Sequence, residues 1–98
     1  YKEYIMIIVT FKFKKPLEEL LAKFEEHNKF LDEYFANNKF IASGPLENKT
    51  GAIIVVMSDS LEEVKNIMKL DPFCIYDLVD LEFTLFQANK ISSNLLSN

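Results

Sequence analysis

The sequence predicts an α+β domain whose elements run in the order β-α-β-β-α-β. Three observations carry this. Residues 3–13 and 77–86 have the period-two spacing and β-branched or aromatic content of strands. Residues 16–37 and 60–70 have helical spacing of their apolar residues. Between the two helical segments lie two more strand-like stretches separated by a polar, glycine-containing turn.

The first strand places Ile5, Ile7, Val9, Phe11 and Phe13 on one face and Tyr4, Met6, Ile8 and Thr10 on the other, so both faces are largely apolar. A helix over 16–37 opens with Pro16 at its first position and with Glu18 and Glu19 at the positive end of the helix dipole. Leu17, Leu20, Leu21, Phe24, Leu31, Tyr34 and Phe35 form one predicted buried stripe, and Asn37 and Asn38 suit its end. Strands over 39–46 and 51–57 are joined by Glu47-Asn48-Lys49-Thr50-Gly51. Ala52 to Met57 is apolar on both faces. Ser60 and Glu63 have the S-x-x-E spacing of a capping box, opening a helix that buries Leu61, Val64, Ile67 and Met68. In the last strand Val79, Leu81, Phe83 and Leu85 alternate with Asp80, Glu82 and Thr84.

This is the ferredoxin-like arrangement, a four-stranded antiparallel sheet with the first and third strands at its centre. Two helices shield one face of such a sheet. The other would leave Val, Ile, Met and Phe side chains in water, at roughly 25 cal/mol per Å² of apolar area. A second copy of the sheet is the simplest cover, so the expected state is a homodimer, a dimeric α+β barrel. Residues 1–88 are expected to form one domain and residues 89–98 a polar C-terminal tail.

Composition narrows the function classes. The 98 residues carry a formal net charge of -4, and all 11 basic residues are lysines. Clustered basic residues and arginine forks, which nucleic-acid binders use, are absent from the sequence, so no nucleic-acid partner is expected. An anionic substrate would be held by a lysine or by backbone N–H groups. One cysteine, Cys74, cannot form an internal disulfide; it reads as a small core residue and suits a reducing compartment, with the cytoplasm as the default. One histidine and one cysteine make no zinc site within a chain, and no metal or other cofactor is expected. No apolar run is long enough to cross a membrane as a helix.

The candidate chemistry is a pair. His27 lies three residues after Phe24 and four before Leu31, on the inward stripe, where a buried structural histidine is the plain alternative. Its ordinary pKa of about 6.5 suits proton transfer near neutrality. Asp71-Pro72-Phe73 follows the second helix. Asp71 is either a cap for a short turn begun by Pro72 or the carboxylate that orients His27 as a general base. Ser43-Gly44-Pro45 ends the second strand, where Gly44 leaves room for a ligand or another backbone; with Phe73, these residues are candidate walls of a substrate pocket.

Together these motifs resemble the YCII-related family over nearly the whole chain, to Phe86. The resemblance rests on His27 with Phe30-Leu31, on Ser43-Gly44-Pro45-Leu46 before Gly51, on Ser60 with Glu62-Glu63, and on Asp71-Pro72-Phe73. It implies a dimeric α+β barrel and a pocket around a histidine–aspartate pair, here His27 and Asp71, in a family to which lyase-type dehydrochlorination has been attributed. The expected function is small-molecule proton transfer of lyase or isomerase type. The alternative is a non-catalytic metabolite-binding or protein-interaction module on the same fold.

Overall fold

The computed structural model describes residues 4–92. Strand β1 (Tyr4–Phe13) leads into helices α1 (Leu17–Ala22) and α2 (Phe24–Ala36). The hairpin β2 (Phe40–Pro45) and β3 (Gly51–Met57) follows, then α3 (Leu61–Met68), α4 (Pro72–Ile75) and β4 (Val79–Ala88). The strands form one antiparallel sheet in the order β2-β3-β1-β4, which puts β1 and β3 at the centre as the two-sided apolar patterns require.

Register follows from burial. Ile7 pairs with Val56 and Val9 with Ile54, and all four are buried in the core with Leu20, Phe30, Val64 and Met68 of the helices. On the opposite face Met6 pairs with Met57 and Phe86, and Ile8 with Val55 and Thr84. Ile8 and Val55 are half-buried and Phe86 is exposed, so an apolar sheet face lies outside the core. Gly51, at the start of β3, packs so closely on β1 that a Cβ there would lie 2.1 Å from the carbonyl oxygen of Phe11.

Three expectations are corrected. The helix predicted over 16–37 is two helices, broken at Lys23, whose backbone (φ −110°, ψ 4°) leaves the helical range. The Lys23 N–H turns back to the carbonyl of Leu20 at 3.0 Å, and the Lys23 carbonyl accepts from the His27 N–H at 3.0 Å to start α2. No glycine or proline marks the break. Its result is that the predicted stripe does not continue: Leu20 is buried, while Leu17, Phe24 and Leu21 are 50, 48 and 61% exposed. Pro16 occupies the capping position before α1 rather than its first turn.

The second helix ends at Met68, near its expected end, and Asp71 caps a separate short turn, α4, with Pro72 in its first turn, as its capping reading expects. The last strand starts at Val79 rather than residue 77. Asp77 has φ 57° and closes α4, its N–H donating to Cys74, before Leu78 turns into the sheet. The first three residues and residues 93–98 of the expected tail lie outside the described residues.

The capping box forms in altered shape. Ser60 Oγ accepts from the Glu63 N–H at 3.1 Å, as expected. The return contact runs through Ser58, whose Oγ accepts from the Ser60 N–H at 3.1 Å and donates to Glu63 Oε1 at 2.7 Å.

Candidate functional site

His27 sits in the first turn of α2 and is 6% exposed. Asp71, fully buried, sits at the start of α4. Their side chains meet: His27 Nδ1 and Asp71 Oδ1 are 2.8 Å apart. The same oxygen accepts from the backbone N–H of Phe73 at 3.0 Å. The two readings of Asp71, helix cap and histidine partner, are thus fulfilled at once by one oxygen atom. The other oxygen, Oδ2, is buried with no hydrogen-bond partner among the described residues.

The pair fixes the state of the ring. A carboxylate at Asp71 accepts both contacts at Oδ1, which puts the proton of the His27–Asp71 contact on Nδ1. Nε2 then carries the lone pair. The ring plane is held by aromatic contacts. Phe73 stacks on it with centroids 3.9 Å apart and planes within 5°. Phe11 meets it edge-on at 6.1 Å, and Phe24 lies tilted at 6.4 Å.

A cavity of about 490 Å³ opens beside the imidazole, within the range of small-ligand sites. Phe11 and Phe13 of β1, Leu17 and Leu21 of α1, and Phe24, His27, Asn28 and Leu31 of α2 line it. Ser43, Gly44 and Pro45 of β2, Lys49 of the hairpin turn and Phe73 of α4 complete much of the remaining wall. The structure therefore brings Ser43, Gly44, Pro45, Phe73 and His27 to one cavity, and Asp71 behind the histidine. A Cβ at Gly44 would meet nothing within 4 Å, so no neighbouring backbone requires glycine there.

Sequence reasoning missed the contribution of α1. Leu17, Leu21 and Phe24 fit a core stripe by spacing, but they line the cavity and stay about half exposed or more. Lys49 reads in sequence as an ordinary turn residue.

Cys74 is half-buried. Burial, and after it the charge of Asp71, push its thiol up to about 12, so it remains protonated and a poor nucleophile. Among the described residues no three His, Cys, Asp or Glu side chains gather where they could hold a metal ion. No helix among them is long and apolar enough to cross a membrane.

The YCII-related domain model matches residues 4–81. The chain belongs to the YCII-related family. This YCII-related chain has a four-stranded antiparallel sheet with helices on one face. It is similar in fold to the 5-chloro-2-hydroxyhydroquinone dehydrochlorinase TftG of Burkholderia phenoliruptrix AC1100, solved in complex with 2,5-dihydroxybenzoquinone. That match has 19% identity and a TM-score of 0.67, over 80% of this chain and 90% of that one. It is also similar to SnoaB, a cofactor-independent oxygenase of Streptomyces nogalater, with 14% identity and a TM-score of 0.51, over 93% of this chain and 98% of that one. A search of the curated proteins finds no match.

Proposed function

We propose that this YCII-related chain is a small-molecule enzyme in which His27 is the general base and Asp71 positions it, for a lyase- or isomerase-type reaction. The observation that carries the reading is the 2.8 Å contact between His27 Nδ1 and Asp71 Oδ1 at the wall of an apolar cavity. With Nδ1–H committed to the carboxylate, Nε2 takes a proton from an activated carbon or hydroxyl of the substrate. In an elimination, the C–H electron pair becomes the new double bond and the leaving group departs as an anion. Asp71 stabilises the imidazolium until its proton passes to water. Base catalysis of this kind contributes about 10²–10⁴-fold in rate. The apolar wall excludes water and strengthens each polar contact inside. The dehydrochlorinase of similar fold supports an elimination of this class.

The working unit in this reading is a homodimer, its sheets packed through the apolar face that carries Ile8, Val55, Met57 and Phe86. The single half-buried thiol suits a reducing, cytoplasmic setting. The test is chloride release from 5-chloro-2-hydroxyhydroquinone, followed by a panel of chlorinated and hydroxylated rings. His27→Ala should abolish turnover of whichever compound the native protein converts. Full turnover by that variant ends the reading.

A further inference from the structure

The cavity beside His27 is apolar over most of its wall, but it carries one fixed charge. Among the described residues that line it, Lys49 is the one lysine, and no aspartate or glutamate joins it there. Three other lysines, none of which lines the cavity, are committed to carboxylates: Lys12 to Glu82, Lys14 to Asp77 and Asp80, and Lys39 to Glu63. Among the described residues no carboxylate lies within ion-pair distance of Lys49.

The turn that carries it is braced. Lys49 has φ 59°, a left-handed conformation that glycine or asparagine adopts more readily. Its N–H donates to Leu46 at 2.9 Å, and the Leu46 N–H donates to Gly51 at 2.8 Å. Asn48 Oδ1 accepts from both the N–H and the hydroxyl of Thr50, at 3.1 and 2.7 Å. The Thr50 carbonyl accepts from the Phe13 N–H at 3.0 Å, which ties the turn to β1. The backbone of Lys49 is therefore held in place at the cavity while its side chain has no ion-pair partner among the described residues.

We propose that the site takes a small, flat, apolar acid, whose carbon skeleton lies among Phe11, Phe24 and Leu21 and whose carboxylate or phenolate oxygen pairs with Lys49. Its status as a substrate rests on the His27 reading above; its binding does not. The chain carries a net charge of -4, so its overall field disfavours anions and a local cation has to offset it. A lysine presents a point charge rather than a fork, which suits a single anionic oxygen as well as a carboxylate.

The experiment compares 2-naphthoate with its neutral isostere 2-naphthamide, measuring both affinities by calorimetry. The native protein should bind the acid about fivefold more tightly or better, the scale of one partly exposed ion pair. That preference should shrink in about 0.5 M salt. Lys49→Met should bring the ratio of the two affinities close to one, with the amide bound as before. Lys49→Arg should keep the preference. A native protein that binds acid and amide equally, a preference unchanged in Lys49→Met, or no binding of either probe at millimolar concentration overturns the proposal. His27→Ala separates the two readings: it should lose turnover and keep the charge preference. Turnover retained in that variant defeats the catalytic reading alone.

Discussion

Phe73 holds His27 twice over: its ring stacks on the imidazole at 3.9 Å, and its backbone N–H anchors the Asp71 oxygen that binds the imidazole's Nδ1. Ring plane and ring tautomer are thus set by two residues of the same short turn. The order Asp-Pro-Phe has a physical reason. Asp accepts at the cap, Pro begins the turn without needing an N–H acceptor, and Phe supplies both the N–H and the flat surface.

Asp71→Ala removes a cap and leaves a buried imidazole without its partner. Loss of the cap costs about 1 kcal/mol, and an unsatisfied buried donor adds about 1–3 kcal/mol. Denaturant unfolding should show the sum. Nitrogen NMR of His27 gives a readout that a purely structural role would not move. The native ring should show the Nδ1–H tautomer, and the variant should shift toward Nε2–H. Asp71→Asn keeps an acceptor for the Phe73 N–H, so it should unfold closer to native while turnover falls sharply.

The Ser58 relay makes a prediction about acid. The Ser58 hydroxyl first, and the Lys39 ammonium second, hold the Glu63 carboxyl below its ordinary value of 4.5. A lowered folded-state pKa means that the contribution is fully present above 4.5 and is lost as pH falls through the folded value. Glu63→Gln should therefore flatten part of the fall in stability between neutral pH and about pH 3. The side chain is partly exposed, so the effect is modest. Ser60→Ala, which removes the direct cap, should cost about 1 kcal/mol at every pH. Urea midpoints of both variants across this range check the pair of claims.

Gly51→Ala tests the approach of β3 to β1. The added methyl would meet the Phe11 carbonyl oxygen at 2.1 Å, a backbone atom that cannot rotate away. Overpacking of this kind costs about 1–3 kcal/mol. Because Phe11 also lines the cavity, probe affinity should fall with stability, by calorimetry and thermal unfolding on the same preparation.

The sheet order was legible because it depends on which strands are apolar on both faces, and β1 and β3 are. The site was legible in part. His27 fell on the buried stripe of α2, which its spacing from Leu31 foretold, and Asp71-Pro72-Phe73 has few other uses. The break at Lys23 was not legible. Helical spacing runs through it without a glycine or proline, and the turn is made by backbone geometry alone. Leu17, Leu21 and Phe24 therefore looked like core, although about half or more of each faces solvent beside the cavity. Lys49 escaped notice because its importance depends on what lies under the turn, not on its neighbours in sequence.

The outer sheet face supplies the last prediction. Ile8 and Val55 face each other at its centre, and Met6, Met57 and Phe86 extend the patch across β3, β1 and β4. If a second copy covers it, the native protein sediments at twice the 11.4 kDa chain mass. Val55→Lys places an ammonium in the middle of that contact, where it would have no partner, and each buried unpaired charge costs several kcal/mol. Val55 is half-buried within one chain, so the monomer retains room for the lysine stem to reach solvent. The variant should therefore sediment as a folded monomer with native-like circular dichroism and an exposed apolar face that binds a hydrophobic dye. A native protein that sediments at 11.4 kDa in dilute solution would show instead that the single chain tolerates this face in water.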